Sequence, residues 1–398
     1  MNGHVDGASL SSFRSANLPS MHSWLAAALG DIQPPWPFST DLEPADLVAL
    51  AEIEGVVALV DARLNGSTGG SSVPMLPAPD AVRGAFREAS REAALLSMLL
   101  EGETRRMLDL MAQAGLPGLL LKGQALGRWA YPSPHLRASC DIDVLLASRE
   151  AAQTLADSLC LAGYEQPVPS GELVSYEFLC ERRVAGGVRI EVDLHHRLLN
   201  SPLFAERFSF NELLAESMAL PGLGPHARGL CPTHAFMHAC LHRAHYVSVG
   251  VEDRLKWLYD VPVLLGKFSH ADWQRLQVLC IERGLAGVCL DTVDAATAVF
   301  GAMVPVFPEG LLFALKQARA LETLDTRRLG DWRYMQYQTF LALPTVGLRL
   351  RWLWQRLWPS RDYMVHLYGR PDLGYAGLMG VRVVTAIRRF LGLKVADS

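Results

Sequence analysis

The sequence predicts an α+β protein: one small mixed sheet, flanking N-terminal helices and a helical C-terminal region. Three observations predict this. From about residue 43 to 114, apolar residues recur at helical spacing. Between 118 and 196 that period gives way to short apolar runs and strict alternation. After residue 200 the helical period returns and no convincing strand remains. A chain of 398 residues, half of them hydrophobic, is long for one compact domain. We therefore expect an N-terminal segment over 1–79, partly disordered and with one helix, a sheet-bearing core over 80–200, and a helical region over 201–398.

Taken in order, the first 40 or so residues are rich in Ser, Gly and Pro, and we expect poor order there. Residues 43–64 read as one helix with Pro near its start. "NGSTGGSSVP" (65–74) reads as a flexible linker. A long amphipathic helix spans 80–114 and stops at Gly115. "GLLL" (118–121) is a short buried strand, "GQALGRWAY" a short helix and "PSPHLRAS" a loop. "DIDVLLA" is the second strand. Residues 148–163 form a helix that Ser148 caps and Gly163 ends. "LVSYEFLC" (173–180) and "GVRIEVDLHH" (187–196) pair as a hairpin across "RRVAGG". Helices follow at 206–218, 231–247, 252–266, 270–285, 286–301, 309–330 and 331–357.

The bulk numbers remove several classes. A net charge of −4 gives no reason to expect a nucleic-acid binder from the whole chain. Seven scattered cysteines with no CxxC pair argue against a zinc ribbon or a disulfide framework and fit a reducing cytoplasm, where we expect the protein. The N-terminal apolar run is too weak for a secretory signal. No uncharged apolar run reaches about 18 residues, so no transmembrane segment is expected.

The chemistry lies in the strands. Asp141 and Asp143 interrupt an apolar strand two residues apart, so their carboxylates share one face about 7 Å apart along the chain and repel each other. Such alternation also fits a half-exposed strand with a wet face. Here, however, Ile142, Val144, Leu145 and Leu146 mark a central strand. A second strand repeats the oddity: Glu191, Asp193 and His195 alternate with Ile190, Val192 and Leu194. Carboxylates on two strands of one sheet are a layout for divalent cations against a triphosphate, and a metal would relieve the repulsion. Between strand and helix, Lys122, Gly123 and Gln124 offer a positive charge, a close backbone approach and free N–H groups. The spacing is not that of a Walker A loop.

Strand, Gly loop, helix, then D-I-D, then a later E-V-D strand resembles the DNA polymerase β-type nucleotidyltransferase superfamily. More narrowly, "LLLKGQALGRWAYPSPHLRASCDIDVLL" and "IEVDLHHRL" are similar to the bacterial uncharacterised nucleotidyltransferase family, over about residues 80–300. The resemblance implies Asp141, Asp143 and Asp193 as metal-holding catalytic carboxylates, with Mg²⁺ or Mn²⁺ as cofactor. It also implies Gly123 in the nucleotide loop and Arg137 near a phosphate, the alternative for Arg137 being a salt bridge in the loop. The wider superfamily has Gly-Ser where this chain has Gly123-Gln124, so its phosphate handling is not carried over unchanged.

Outside those motifs, His234, His238, His242 and His245 line one face of a helix. His at i and i+4 is a zinc spacing, but HExxH and HD are both missing; His238 and His242 are candidates for the active cleft, the others for polar packing. Lys256 is a further cleft candidate, with a solvated helix face as its alternative. "GLRLRWLWQRLWPSR" interleaves Arg with Trp352, Trp354 and Trp358; we expect the tryptophans to dock on the domain. The expected activity is transfer of a nucleoside monophosphate from an NTP to an acceptor with release of pyrophosphate. Members of the family often accompany biosynthetic genes, which favours a small-molecule or peptide acceptor; nucleic acid is left open. The alternative is a non-catalytic nucleotide-binding or scaffold protein on the same fold.

Overall fold

The computed structural model describes residues 18–30, 33–38, 42–66, 75–166 and 175–390. The start of the chain and most of the Gly/Ser stretch at 65–74 lie outside these. Where one helix was expected before residue 80 there are three: α1 (Leu18–Leu29), α2 (Pro44–Glu54) and α3 (Val57–Asn65). Met21, Trp24 and Leu25 bury α1 in the core, so this part of the first 40 residues is a docked helix. The run 43–64 breaks at Gly55, whose φ of 68° ends α2. The long α4 (Asp80–Gln113) follows, stopped by Gly115 at φ 64°.

The sheet is built from β1 (Gly118–Leu120), β2 (Asp141–Leu146), β3 (Glu177–Arg183) and β4 (Arg189–His195), with α5 (Lys122–Trp129) after β1 and α6 (Arg149–Leu161) after β2. Ser148 caps α6 by accepting a hydrogen bond from the Ala151 N–H. After α7 (Phe210–Ala215) come two strands that the sequence reading lacked, β5 (Met218–Ala219) and β6 (Arg228–Gly229). They complete the order β3-β4-β2-β1-β6-β5. At two residues each, they are too short to show alternation. The sheet is mixed: β2 runs parallel to β4 and antiparallel to β1, and β6 joins β1 in parallel.

Alternation sorts the sheet's two faces. Ile142, Val144, Leu146, Ile190, Val192 and Leu194 pack with α4 and α6 in one apolar cluster. The other face carries the carboxylates and then Leu145, which belongs to a larger core shared with the helical region. That region holds α8 (Pro232–Ser248), α9 (Leu255–Leu265), α10 (His270–Arg283), α11 (Ala286–Phe300) and α12 (Glu309–Arg319). The expected 309–330 helix therefore stops early. The expected 331–357 helix is two, α13 (Trp332–Ala342) and α14 (Val346–Leu357). Pro344 biases Leu343 to extended backbone, and Thr345 starts α14 as its N-cap. Last come α15 (Arg361–Tyr368) and α16 (Tyr375–Phe390). Among the described residues one segment, Ala286–Met303, is long and apolar enough to cross a membrane. It contains α11, whose Val288, Cys289, Ala296 and Phe300 are buried in the shared core.

Candidate active site

Register decides which carboxylates meet. In the parallel β2–β4 pair, Asp141 lies opposite Glu191 and Asp143 opposite Asp193. On the far side of β4, Glu177 of β3 lies opposite His195. Ligand atoms of Asp143, Asp193 and His195 fall within 4.8 Å of one another. Asp141 sits at the strand start, half-buried, with an Oδ1 3.4 Å from the Ser139 hydroxyl. Glu191 turns to Arg189 at 3.0 Å. The structure thus brings Asp143, Asp193 and His195 together, with Asp141 beside them and Glu191 engaged by Arg189.

Asp143 is the electrostatic centre. Only 1% of it is exposed, yet its Oδ1 accepts from Lys122 Nζ at 2.6 Å and lies 3.0 Å from His195 Nε2. Burial works against its charge, but Lys122 and His195 hold the carboxyl well below the usual range. Asp193 goes the other way: burial, then Glu177, Asp143 and Asp141, push it well above. Asp141 is raised by burial and by Asp143, against the pull of Lys122, Lys256 and Arg137. Asp143, Asp193 and His195 offer ligand atoms close enough together to hold a metal ion, which would relieve the repulsion among the carboxylates. The Lys122 ammonium already supplies one positive charge at that spot.

Lys122 holds its place at some cost. Its φ of 45° is left-handed, an arrangement that costs a non-glycine residue about 1–3 kcal/mol. Its ammonium pairs with Asp143 at 2.6 Å; burial lowers its pKa, but Asp143 and Asp141 raise it further. Gly123 follows inside α5 and is buried. A Cβ there would lie 2.3 Å from the Ser139 Oγ, so the space that a side chain needs is filled by the loop before β2. The glycine thus allows protein to approach protein; a Val at this position would disturb that loop first. Gln124 is also buried.

Arg137 pairs with α9, outside its own loop. Its Nε and Nη2 each donate to Asp260 at 2.7 Å, and Tyr131 donates to the same carboxylate at 2.6 Å. All three are buried. Sequence reasoning missed Asp260; its signal was a lone acid inside the apolar run "WLYDVPVLL". Lys256, one turn earlier, lays its stem over Gly55, where a Cβ would come within 2.3 Å of its Cδ. Burial lowers its pKa, followed by Arg137. Lys122, Trp129, Arg137, His238, His242 and Trp257 line one pocket between α5, α8 and α9. Burial, then Lys122, holds His238 neutral, with a pKa of about 3, and His242 well below its ordinary value. His234 lies elsewhere, 3.4 Å from Cys231 and near Glu216.

The chain belongs to the family of uncharacterised nucleotidyltransferases, whose model matches residues 40–301. The match begins in the N-terminal helices, well before the start that the motifs implied. The crystal structure of an antigenic nucleotidyltransferase-like protein from Paracoccidioides brasiliensis matches at 14% identity over 48% of this chain and 92% of that one. Its TM-score of 0.30 is too low to carry an argument about the site. No curated protein matches.

Proposed function

We propose that this protein transfers a nucleoside monophosphate from an NTP to the hydroxyl of a small molecule or peptide, at Asp141, Asp143 and Asp193. The observation that carries the reading is the register that sets Asp143 against Asp193, with Asp141 beside them and Lys122 on Asp143. Asp141, Asp143 and Asp193 would hold Mg²⁺ or Mn²⁺, which when bound neutralises phosphate charge and lowers the pKa of nearby oxygens. His195 keeps Asp143 oriented through its 3.0 Å contact. Lys122 and Lys256 supply positive charge for the phosphates, and the Arg137–Asp260 pair fixes the loop that precedes β2. Asp193 is held protonated by burial and by Glu177, Asp143 and Asp141, and would be ionised once the site holds its cation; in that form it draws the proton from the acceptor hydroxyl. Its oxygen attacks the α-phosphorus, and the bond to the β,γ-pyrophosphate breaks. Catalysis rests on positioning and charge, as for phosphoryl transfer generally. Residues 80–200 act as the catalytic core, and the helices after 200 form the opposite wall.

A second reading, a nucleotide-binding protein without turnover, is favoured by one observation: the Lys122–Asp143 pair already satisfies a carboxylate that a metal would need. Calorimetric NTP titration with Mg²⁺ and with chelator tests both readings. Metal-dependent binding accompanied by pyrophosphate release supports transfer. Binding without release supports the second reading, and no binding in either condition contradicts both.

A further inference from the structure

We propose that α14 docks this protein on an anionic membrane surface. Val346, Leu350, Leu353 and Leu357 recur at successive turns and form one stripe along the helix. All four are exposed, Leu350 by 62%. Beside the stripe Trp354 (61%) and Trp358 (53%) face outward and stack on each other at 4.8 Å. Only Trp352 of the three turns inward, against the expectation that these rings dock on the domain.

Arginines flank the stripe. At 100° per residue, Arg351 falls beyond the Trp354 side, and Arg349 and Arg356 fall on the other. Arg349 donates to the carbonyls of Leu341 and Leu343, and Arg356 lies over the Trp352 ring. An apolar stripe with tryptophan at its edge and arginines on both flanks suits a lipid headgroup boundary. Charge segregation points the same way. Residues 349–398 carry nine Lys/Arg and three Asp/Glu, a net +6, while the rest of the chain carries −10. An anionic surface therefore attracts this end and repels the body.

The same features disfavour other occupants. A phosphate backbone has no use for four aliphatic side chains at the centre of the face. A second copy would bring one +6 segment against another. α16 adds exposed Val383, Val384 and Ile387 with Arg388 next in sequence.

The test is flotation of the full chain with vesicles of phosphatidylglycerol and phosphatidylcholine, and with phosphatidylcholine alone. We expect binding about tenfold or more stronger to the anionic vesicles, weakened by salt. Leu350→Glu with Leu353→Glu, and separately Trp354→Ala with Trp358→Ala, should each remove most of it without changing the melting temperature. Equal binding to both vesicles, no binding, or binding that both double variants retain would overturn the proposal. So would salt-sensitive binding to an oligonucleotide without vesicle binding, or a dimer that the glutamate variants dissolve.

Discussion

Asp143 is both the buried partner of Lys122 and a like-charged neighbour of Asp141 and Asp193. These two roles separate in variants. Asp143→Asn leaves a partly buried ammonium without its counter-charge and should cost on the order of 3 kcal/mol of folding stability. Asp141→Asn removes a half-buried charge whose carboxyl is already raised by burial and by Asp143, so it should leave stability unchanged or higher. Urea unfolding of the two variants checks this; equal losses would contradict the assignment of Lys122 to Asp143. The sequence alone shows two like charges on one strand face but not the lysine that pairs with Asp143. Asp193→Asn is the cleaner probe of function. A carboxyl pushed well up by burial and three acids is close to the amide in charge, so the fold should tolerate the change.

Among the elements, α9 matters most to the site. Its Asp260 holds Arg137 and Tyr131, and so ties the loop before β2 to the helical region. Asp260→Asn should cost about 3–5 kcal/mol by stranding a buried guanidinium. The double change Arg137→Met with Asp260→Leu should cost less than Asp260→Asn alone, as thermal melts of the two proteins would report. The sequence offered a salt bridge for Arg137 but not its partner, because a lone Asp in an apolar helix reads the same whether it meets water or an arginine. The legible parts are those with a local signature: alternation in β2 and β4, the Ser148 cap and the Gly115 stop. Gly55 and Pro344 were equally local, but both were passed over inside longer periodic runs. β5 and β6 had no signature to read. The closeness of Gly123 to Ser139 had no signature either, because it comes from packing and not from adjacent sequence.

At the scale of the whole molecule, buried neutral histidines make stability depend on pH. His238, faced by Lys122, Asp143 and His195, has a pKa of about 3, and His196 about 4, each down from 6.5. Below pH 6.5 the unfolded chain binds protons on these rings that the folded chain does not. Their contribution is therefore complete above pH 6.5 and is lost as pH falls toward the folded values, about 1.4 kcal/mol per unit for each ring. Asp193, raised in the fold, works in the opposite direction. The informative measurement is thus a difference: His238→Gln should flatten the loss of stability between pH 6.5 and 4.5, and an unchanged slope would mean that the ring protonates without unfolding. The same molecule places its carboxylates at one end of β2 and β4, with cations and the α8–α9 wall around them, and nucleotidyl transfer is the reaction inferred from that layout. It is tested most directly by incubating the full chain with Mg²⁺, NTP labelled at the α- or the γ-phosphate, and the small-molecule and peptide fraction of a cell extract. The account predicts that α-label moves to an acceptor, that γ-label leaves as pyrophosphate, and that folded Asp193→Asn does neither. Transfer of the γ-label, or α-label transfer undiminished in Asp193→Asn, would contradict it.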